Sequence, residues 1–320
     1  MRPALQPGLL TVWRDRDTLQ IGIDPRRAIA LSGMAGVGRL LSLLDGSRDR
    51  AQVLAAAQEL GIPAPAADRV LSLLAAAGAV HDYPASSYRG LPQALRRRLA
   101  PELATAALAH GDGDGGARTL ARRQAAWIQV HGATAAGLCL AGLLAAAGIG
   151  QLTTTGPLGC GQPPDLPEGL PTGGGRARPD LVVLTGPCHP ELPVALLSAG
   201  IPHLAVAAGE AIGTVGPLVL PGRSACLRCL DLTRADRDPA WPRILAQTAG
   251  RAPETPACDA TLATAVAAQS AAQVLALIDR GEPPAAVISA TLELVLPDWQ
   301  WSRRSWRPHE RCHCGRRAAS

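Results

Sequence analysis

The hydrophobic pattern changes period twice along the chain. Leu9–Trp13 and Leu19–Ile23 are short runs of β-favouring residues around the polar stretch Arg14–Thr18, which predicts a hairpin. Three helical patterns follow, at Val37–Leu44, Arg50–Leu60 and Ala66–Ala77. Gly46, Gly61 and Gly78 stand just past them, where a residue of positive φ ends a helix. Ala79–Asp82 reads as extended. Residues 1–83 are therefore expected to form a winged-helix-like unit of small strands and three short helices. A basic helix over Leu91–His110 and the sequence GDGDGG at Gly111–Gly116 then read as connector and flexible linker, spanning residues 84–117.

From Arg118 onward strands and helices alternate. Trp127–Val130 is an apolar strand, followed by a glycine turn and an Ala/Leu helix that closes near Gly148. Gln151–Thr155, Leu181–Leu184 and His203–Ala207 are further strands. Glu191–Ser198 is a helix, and Gly156–Arg178 is proline- and glycine-rich with little to bury. This order predicts an α/β fold over residues 118–320, a Rossmann-like, mostly parallel sheet. Gly132–Gly150 carries no charge over a length that could span a bilayer. Its Ala and Gly gain little from lipid, so a buried turn and helix is the expected reading. Pro7 and Arg14 interrupt any signal-like apolar run, and a cytoplasmic protein without a membrane partner is expected.

Composition narrows the chemistry. The chain has 320 residues, 47% of them hydrophobic, which is ample for two cores. It contains no Phe, no Asn and no Lys, so all 31 basic residues are Arg. That excludes a P-loop lysine and Schiff-base chemistry. The net charge of +5 is scattered and gives no nucleic-acid footprint. In residues 1–83 acids and arginines nearly cancel, and the last helix carries one arginine, so a DNA-binding regulator is the weakest reading. An extended peptide added to the hairpin edge suits such a unit better.

Three motifs carry candidate chemistry. The turn Gly132-Ala-Thr-Ala-Ala-Gly137 resembles a nucleotide loop, but Thr134 stands where a glycine would let backbone amides approach phosphate. The strand after it ends Thr153-Thr-Thr155-Gly156, without the acid that would hold a ribose. Cys226-Leu-Arg-Cys229 and Cys312-His-Cys314 are two close pairs some eighty residues apart, the pattern of a closed, structural zinc site with four cysteine ligands. The amides of Pro221–Ser224 are candidate donors to its sulfurs, and His309 or His313 could replace a cysteine. Free thiols in a loose tail are the competing reading. Cys258 precedes an apolar helix, Thr261–Ile278, and is a weak nucleophile candidate because Asp259 opposes its ionisation. Burial or helix capping is expected of it, and Cys139 reads as core. Trp299 and Trp301, beside Arg303 and Arg304, suggest either a cation–π surface or packing of the tail.

Taken in order, these pieces resemble the ThiF-like adenylyltransferases of the ubiquitin-activating-enzyme superfamily: GATAAG, Arg178-Pro-Asp-Leu-Val-Val-Leu184, Val215–Gly222 running into Cys226-Leu-Arg-Cys229, and Thr255-Pro-Ala-Cys258. With residues 1–83 the whole chain resembles the cyclodehydratase-like, leader-peptide-binding branch of thiazole- and oxazole-peptide maturation. The resemblance implies zinc held by Cys226, Cys229, Cys312 and Cys314, and a homodimer. It also implies two partners, a precursor leader and a separate ATP-using cyclodehydratase. The family binds ATP and magnesium through the glycine turn, an acid after the second strand, a lysine and a later Asp. Here Gly132, Thr134 and Gly137 keep only the outline of the turn, and Thr185-Gly-Pro187 replaces the later acid; Asp180 opens that strand and is no obvious substitute, and Arg122 or Arg123 could approach a phosphate with nothing to fix them there. A nucleotide-degenerate protein is expected, with an active adenylyltransferase built on arginine as the alternative.

Overall fold

The computed structural model describes residues 1–33, 36–83, 91–155, 178–186, 188–249, 251, 253–282 and 285–315. Residues 156–177 and Pro187 of the expectations above lie outside them. The chain divides into two compact units, Met1–Ala121 and Arg122–Ser320.

In the first unit, β1 (Pro3–Leu5) is followed by β2 (Thr11–Trp13), β3 (Thr18–Ile21) and β4 (Ile29–Ser32), then α1 (Val37–Ser42), α2 (Arg50–Glu59), α3 (Ala64–Ala76), β5 (Val80–Asp82) and α4 (Gln93–His110). The predicted hairpin is β2 and β3, and β4 extends it to a three-stranded antiparallel sheet. β1 pairs separately with β5. Gly61 and Gly78 have positive φ directly after the caps of α2 and α3, as helix stops require, whereas α1 ends earlier than expected, at Ser42 capped by Leu43, and the positive-φ Gly46 lies beyond it in the following turn. Asp49 and Gln52 form a reciprocal capping box at the start of α2. Leu19, Ile21, Val37, Leu40, Val53, Leu71 and Leu74 share one core.

The GDGDGG segment is a folded turn and not the free tether its composition suggests. Gly113 O accepts from Asp82 N at 2.8 Å. Asp114 accepts from Gly116 N, Arg118 N and Arg118 Nε at 2.9, 3.0 and 2.9 Å. Short acidic side chains that bind nearby amides compete well with solvent, which composition alone does not reveal.

α5 (Ala117–Ala125) crosses the division. The second unit then runs β6 (Trp127–His131), α6 (Ala135–Ala146), β7 (Gln151–Thr155), β8 (Leu181–Thr185), α7 (Glu191–Ser198), β9 (His203–Gly209), β10 (Ile212–Val219), α8 (Leu227–Arg237), α9 (Trp241–Thr248), α10 (Ala260–Arg280), β11 (Ala290–Val295) and β12 (Gln300–Ser305). Its seven-stranded sheet has the order β12-β11-β10-β9-β8-β6-β7. β7, β6, β8 and β9 are parallel, giving the expected α/β core, and three antiparallel strands extend it.

All five residues of β8 are buried. Leu181 and Val183 face the cluster of α6 and α10, while Val182 and Leu184 face that of α7 and Leu227. A strand covered on both faces reads as a continuous apolar run, as this one does. The uncharged stretch Gly132–Gly150 forms the turn and α6, whose Leu140 and Leu144 are fully buried. Only α10 is long and apolar enough among the described residues to cross a membrane, and its Leu262, Val266 and Val274 pack into the same core.

Candidate functional site

β6 has β7 on one side and β8 on the other, so the strand order reverses there. In an open α/β sheet the crevice beyond the C-terminal ends at such a point is where ligands bind. The GATAAG turn leaves β6 at this crevice, and Thr185-Gly186 leaves β8 beside it.

Side chains close the turn. Thr185 Oγ1 donates to the Gly132 and His131 carbonyls, at 2.8 and 3.0 Å. Gly132 has φ +100°, and a Cβ there would lie 2.1 Å from Thr185 O. A Cβ on Gly137 would lie 2.4 Å from Thr185 Oγ1. Both glycines are thus needed for the approach of β8 to the turn. Thr134 is the N-cap of α6, its Oγ1 accepting from Gly137 N at 3.1 Å. An amide of the kind that receives phosphate at a helix start is therefore already bonded. At the end of β7, Thr155 Oγ1 accepts from Gln129 Nε2 at 3.1 Å and lies 3.1 Å from His131 Nδ1.

Asp180, Arg122 and Arg123 are engaged elsewhere. Asp180 accepts from Trp127 N at 2.8 Å, joining the beginnings of β8 and β6 at the opposite end of the sheet. Arg123 forks onto Asp279 at 2.8 and 2.7 Å, with both side chains buried, and also donates to Ala147 O. Arg122 donates to the Asp279 carbonyl. These arginines lock α5 to the end of α10.

The four paired cysteines meet in one buried cluster. Their sulfurs lie within 4.8 Å of one another, with Cys226–Cys229, Cys226–Cys312 and Cys229–Cys314 at 3.8, 3.6 and 3.3 Å. These are too long for disulfides. A tetrahedral zinc with bonds of about 2.3 Å needs sulfurs about 3.8 Å apart, so the set fits such an ion. Cys226 is the N-cap of α8 and Cys229 sits in its first turn, where the helix dipole favours a thiolate. The Cys229 thiol is drawn down to about 4, first by the Cys226 S–H and further by the His309 amide. That same hydrogen bond raises Cys226, while burial, first among the causes, pushes Cys314 up to about 12. A dication among the sulfurs would favour the thiolate form of its ligands.

The histidine rivals are placed outside the cluster. His309 Nε2 donates to Asp236 Oδ2 on α8 at 2.7 Å, and its Nδ1 accepts from Arg311 N at 3.1 Å. Arg311 also pairs with Asp236. His313 is exposed. Asp236 is the residue the sequence hides, because no local pattern links it to a partner 73 positions away. The knuckle amides are used elsewhere too: Ser224 N donates to Leu220 O and Ala225 N to Ser289 Oγ.

Cys258 is half-buried, and burial followed by the Asp259 charge raises its thiol. Asp259, not Cys258, caps α10, accepting from Leu262 N at 2.7 Å. Cys139 packs against the main core. Trp299 and Trp301 are exposed, and the tail packs instead through buried Trp306, whose ring lies under Arg234 and Arg304 at 5.4 and 5.8 Å.

This combination of a glycine turn at a sheet reversal, an antiparallel extension and a cysteine-pinned tail defines a ThiF-like fold, and known structures share it. The E. coli enzyme MccB, solved with AMPCPP and MccA, matches with a TM-score of 0.65 over 98% of this chain and 99% of its own, at 13% identity. The heterocyclase TruD matches at 0.65 over 98% of this chain, at 17% identity, but this chain spans only 43% of its length. A heterocyclase solved with substrate and cofactor gives 0.65 at 15% identity, with 95% of this chain and 38% of that one covered. No protein-family model and no curated protein matches the sequence.

Proposed function

We propose that the protein is a cyclodehydratase-associated, ThiF-like component of ribosomal peptide maturation. It acts as a homodimer that binds a precursor's leader and hands the core to an ATP-using partner. The observation that carries this reading is the closed turn. Thr134 Oγ1 already takes the Gly137 amide that a phosphate would need, Thr185 ties the Gly132 carbonyl of the turn to β8, and Thr155 stands where an acid would hold the ribose. The fold shared with heterocyclases supports the peptide class of substrate.

On this reading the chain's own residues bind and position. The first unit receives the leader as an added strand on its three-stranded sheet, where backbone groups supply affinity and flanking side chains supply register. Cys226, Cys229, Cys312 and Cys314 hold zinc in a closed site with no open position, so the ion's contribution is structural. Asp236 and His309 brace the loop that carries Cys312.

A second reading has its own support. MccB matches end to end, and it has been solved with ATP. An adenylyltransferase would have to free the Gly137 amide from Thr134. The test uses a candidate precursor, any short cysteine- or serine-rich peptide found encoded near this gene, labelled on its leader. Fluorescence anisotropy should show saturable binding that the leader alone reproduces. Binding only in the presence of Mg-ATP would favour the adenylyltransferase, and no binding to either half would overturn the presenting role.

A further inference from the structure

α7 packs on the sheet through Leu196 and Leu192. Its remaining apolar residues, Pro193, Val194 and Leu197, follow Pro190 at the spacing i, i+3, i+4, i+7 and form one stripe. The stripe lines a cavity, and Val194 is 57% exposed. α9 presents a second stripe to the same cavity, Leu245, Thr248 and Ala249, and none of its residues is buried. Pro221 and Leu227, beside the cysteine cluster, complete the apolar wall. The cavity measures about 1040 Å³, the size of a ligand site and far larger than a packing defect. Contiguous apolar surface rimmed by polar groups marks a place where something binds.

The polar groups of the cavity say what that is. His203 is 1% exposed and pairs in register with Val182, so its ring lies on the α7 side of the sheet. Its Nδ1 donates to Ile201 O at 3.1 Å, and burial keeps the ring neutral, which leaves Nε2 as an acceptor. Nε2 has no partner among the described residues and is open to the cavity. Arg228 and Arg251 line the cavity too, and among the described residues neither meets a carboxylate. Arg251 donates only to Gln247 O, one turn back. Asp231, on the same wall, is already held by Trp241 Nε1 at 3.2 Å and by Arg234 at 3.6 Å. The uncompensated charge is positive.

We propose that this groove binds an extended peptide segment of apolar residues that carries an acidic side chain. Its apolar side chains lie between the two stripes, a backbone N–H donates to His203 Nε2, and its carboxylate pairs with Arg228 and Arg251. The eight residues of α7 are about 12 Å long, the span of roughly three to four extended residues. An aliphatic carboxylate would match the stripes and the arginines but brings no donor for His203, whereas a peptide brings one at nearly every residue. A basic peptide would oppose both arginines. The inference deepens the presenting role proposed above and rests on it: a peptide held by its leader on the first unit is held by its core on the second.

The probe is a synthetic peptide without a leader, fluorescein-Gly-Leu-Ile-Glu-Leu amide, titrated with the zinc-loaded full chain and followed by fluorescence anisotropy. Saturable binding is expected. Replacing the probe's glutamate by lysine should weaken it roughly tenfold, the loss of one charge-assisted contact. Arg228→Glu should do the same, and so should Arg251→Glu, which lies away from the cysteines. Val194→Glu should weaken binding by placing a like charge on the α7 stripe. Zinc content and circular dichroism establish that these exposed-residue variants fold. Equal affinity for the glutamate and lysine probes, or no saturation at high micromolar protein, overturns the groove as a site for acidic peptide. Dodecanoate binding without peptide binding would assign it to a fatty acid, and self-association abolished by Val194→Glu would assign it to a second copy; either overturns the proposal. The leader experiment separates the two readings. Leader binding without groove binding overturns the groove alone, whereas groove binding without leader binding overturns the presenting role and leaves the groove.

Discussion

Gly132 and Cys229 show how single atoms decide the state of the two candidate sites. At Gly132 a positive φ and a carbonyl 2.1 Å from any added Cβ act together. Gly132→Ala is expected to destabilise the second unit by about 2–4 kcal/mol, through both backbone strain and steric displacement of β8. Denaturant unfolding measures it; an effect below about 0.5 kcal/mol, the ordinary surface range, would mean that β8 does not press on the turn. At Cys229 the consequence is larger. Removing one of four sulfurs leaves three buried thiols with no stable tetrahedral ligand set, so Cys229→Ser should abolish stoichiometric zinc and compromise folding. Native mass spectrometry and the thermal midpoint read both. His309→Ala should keep the metal and lower only the midpoint, because its ring braces Asp236 and does not reach the sulfurs. Loss of zinc in that variant would make the histidine a ligand after all.

At the scale of elements, the structure separates what a local pattern encodes from what it does not. Helix stops at Gly61 and Gly78 were legible because a positive φ is a one-residue requirement, whereas Gly46 misplaced the end of α1, which Leu43 already caps. β8 was legible because burial on both faces leaves an unbroken apolar run, and α6 because its Ala, Gly and Leu run carries no charge even where Leu143 is exposed. β10 was not, since Gly213, Gly216 and Pro217 argue against a strand. They are tolerated because the pairing with β9 shifts register between Val215 and Leu218, next to Pro217. The cysteine pairs announced a metal cluster through their spacing, whereas Thr185 as the closure of the glycine turn had no signal, because its partner arrives from another strand. The Arg123–Asp279 fork was hidden for the same reason. Both partners are buried, so Asp279→Ala should cost about 3–5 kcal/mol by stranding the Arg123 charge. A double change of Arg123 and Asp279 to apolar residues should recover part of that loss. An equal or greater loss in the double variant would show that the pair is worth more than its desolvation.

For the whole molecule, acidity acts through two buried histidines. Burial lowers His81 in the first unit and His203 in the second, and His81 Nδ1 has no hydrogen-bond partner. Their folded-state pKa values lie below the unfolded value near 6.5, so as pH falls through 6.5 the unfolded chain takes up protons first. Stability should therefore drop between pH 7 and 5, before the carboxylates titrate. The thermal midpoint of the chain carrying His81→Gln and His203→Gln should fall less over that interval than that of the unmodified chain, and equal slopes would remove the histidines from the account.

On the proposed function, the glycine turn is kept for packing and receives no nucleotide. The most direct measurement is pyrophosphate–ATP exchange by the zinc-loaded protein with magnesium, with and without the precursor peptide. The closed turn predicts exchange no greater than that of the buffer alone under both conditions. Sustained exchange that depends on the peptide would contradict it, and would mean that the turn frees the Gly137 amide from Thr134 to make an adenylating site.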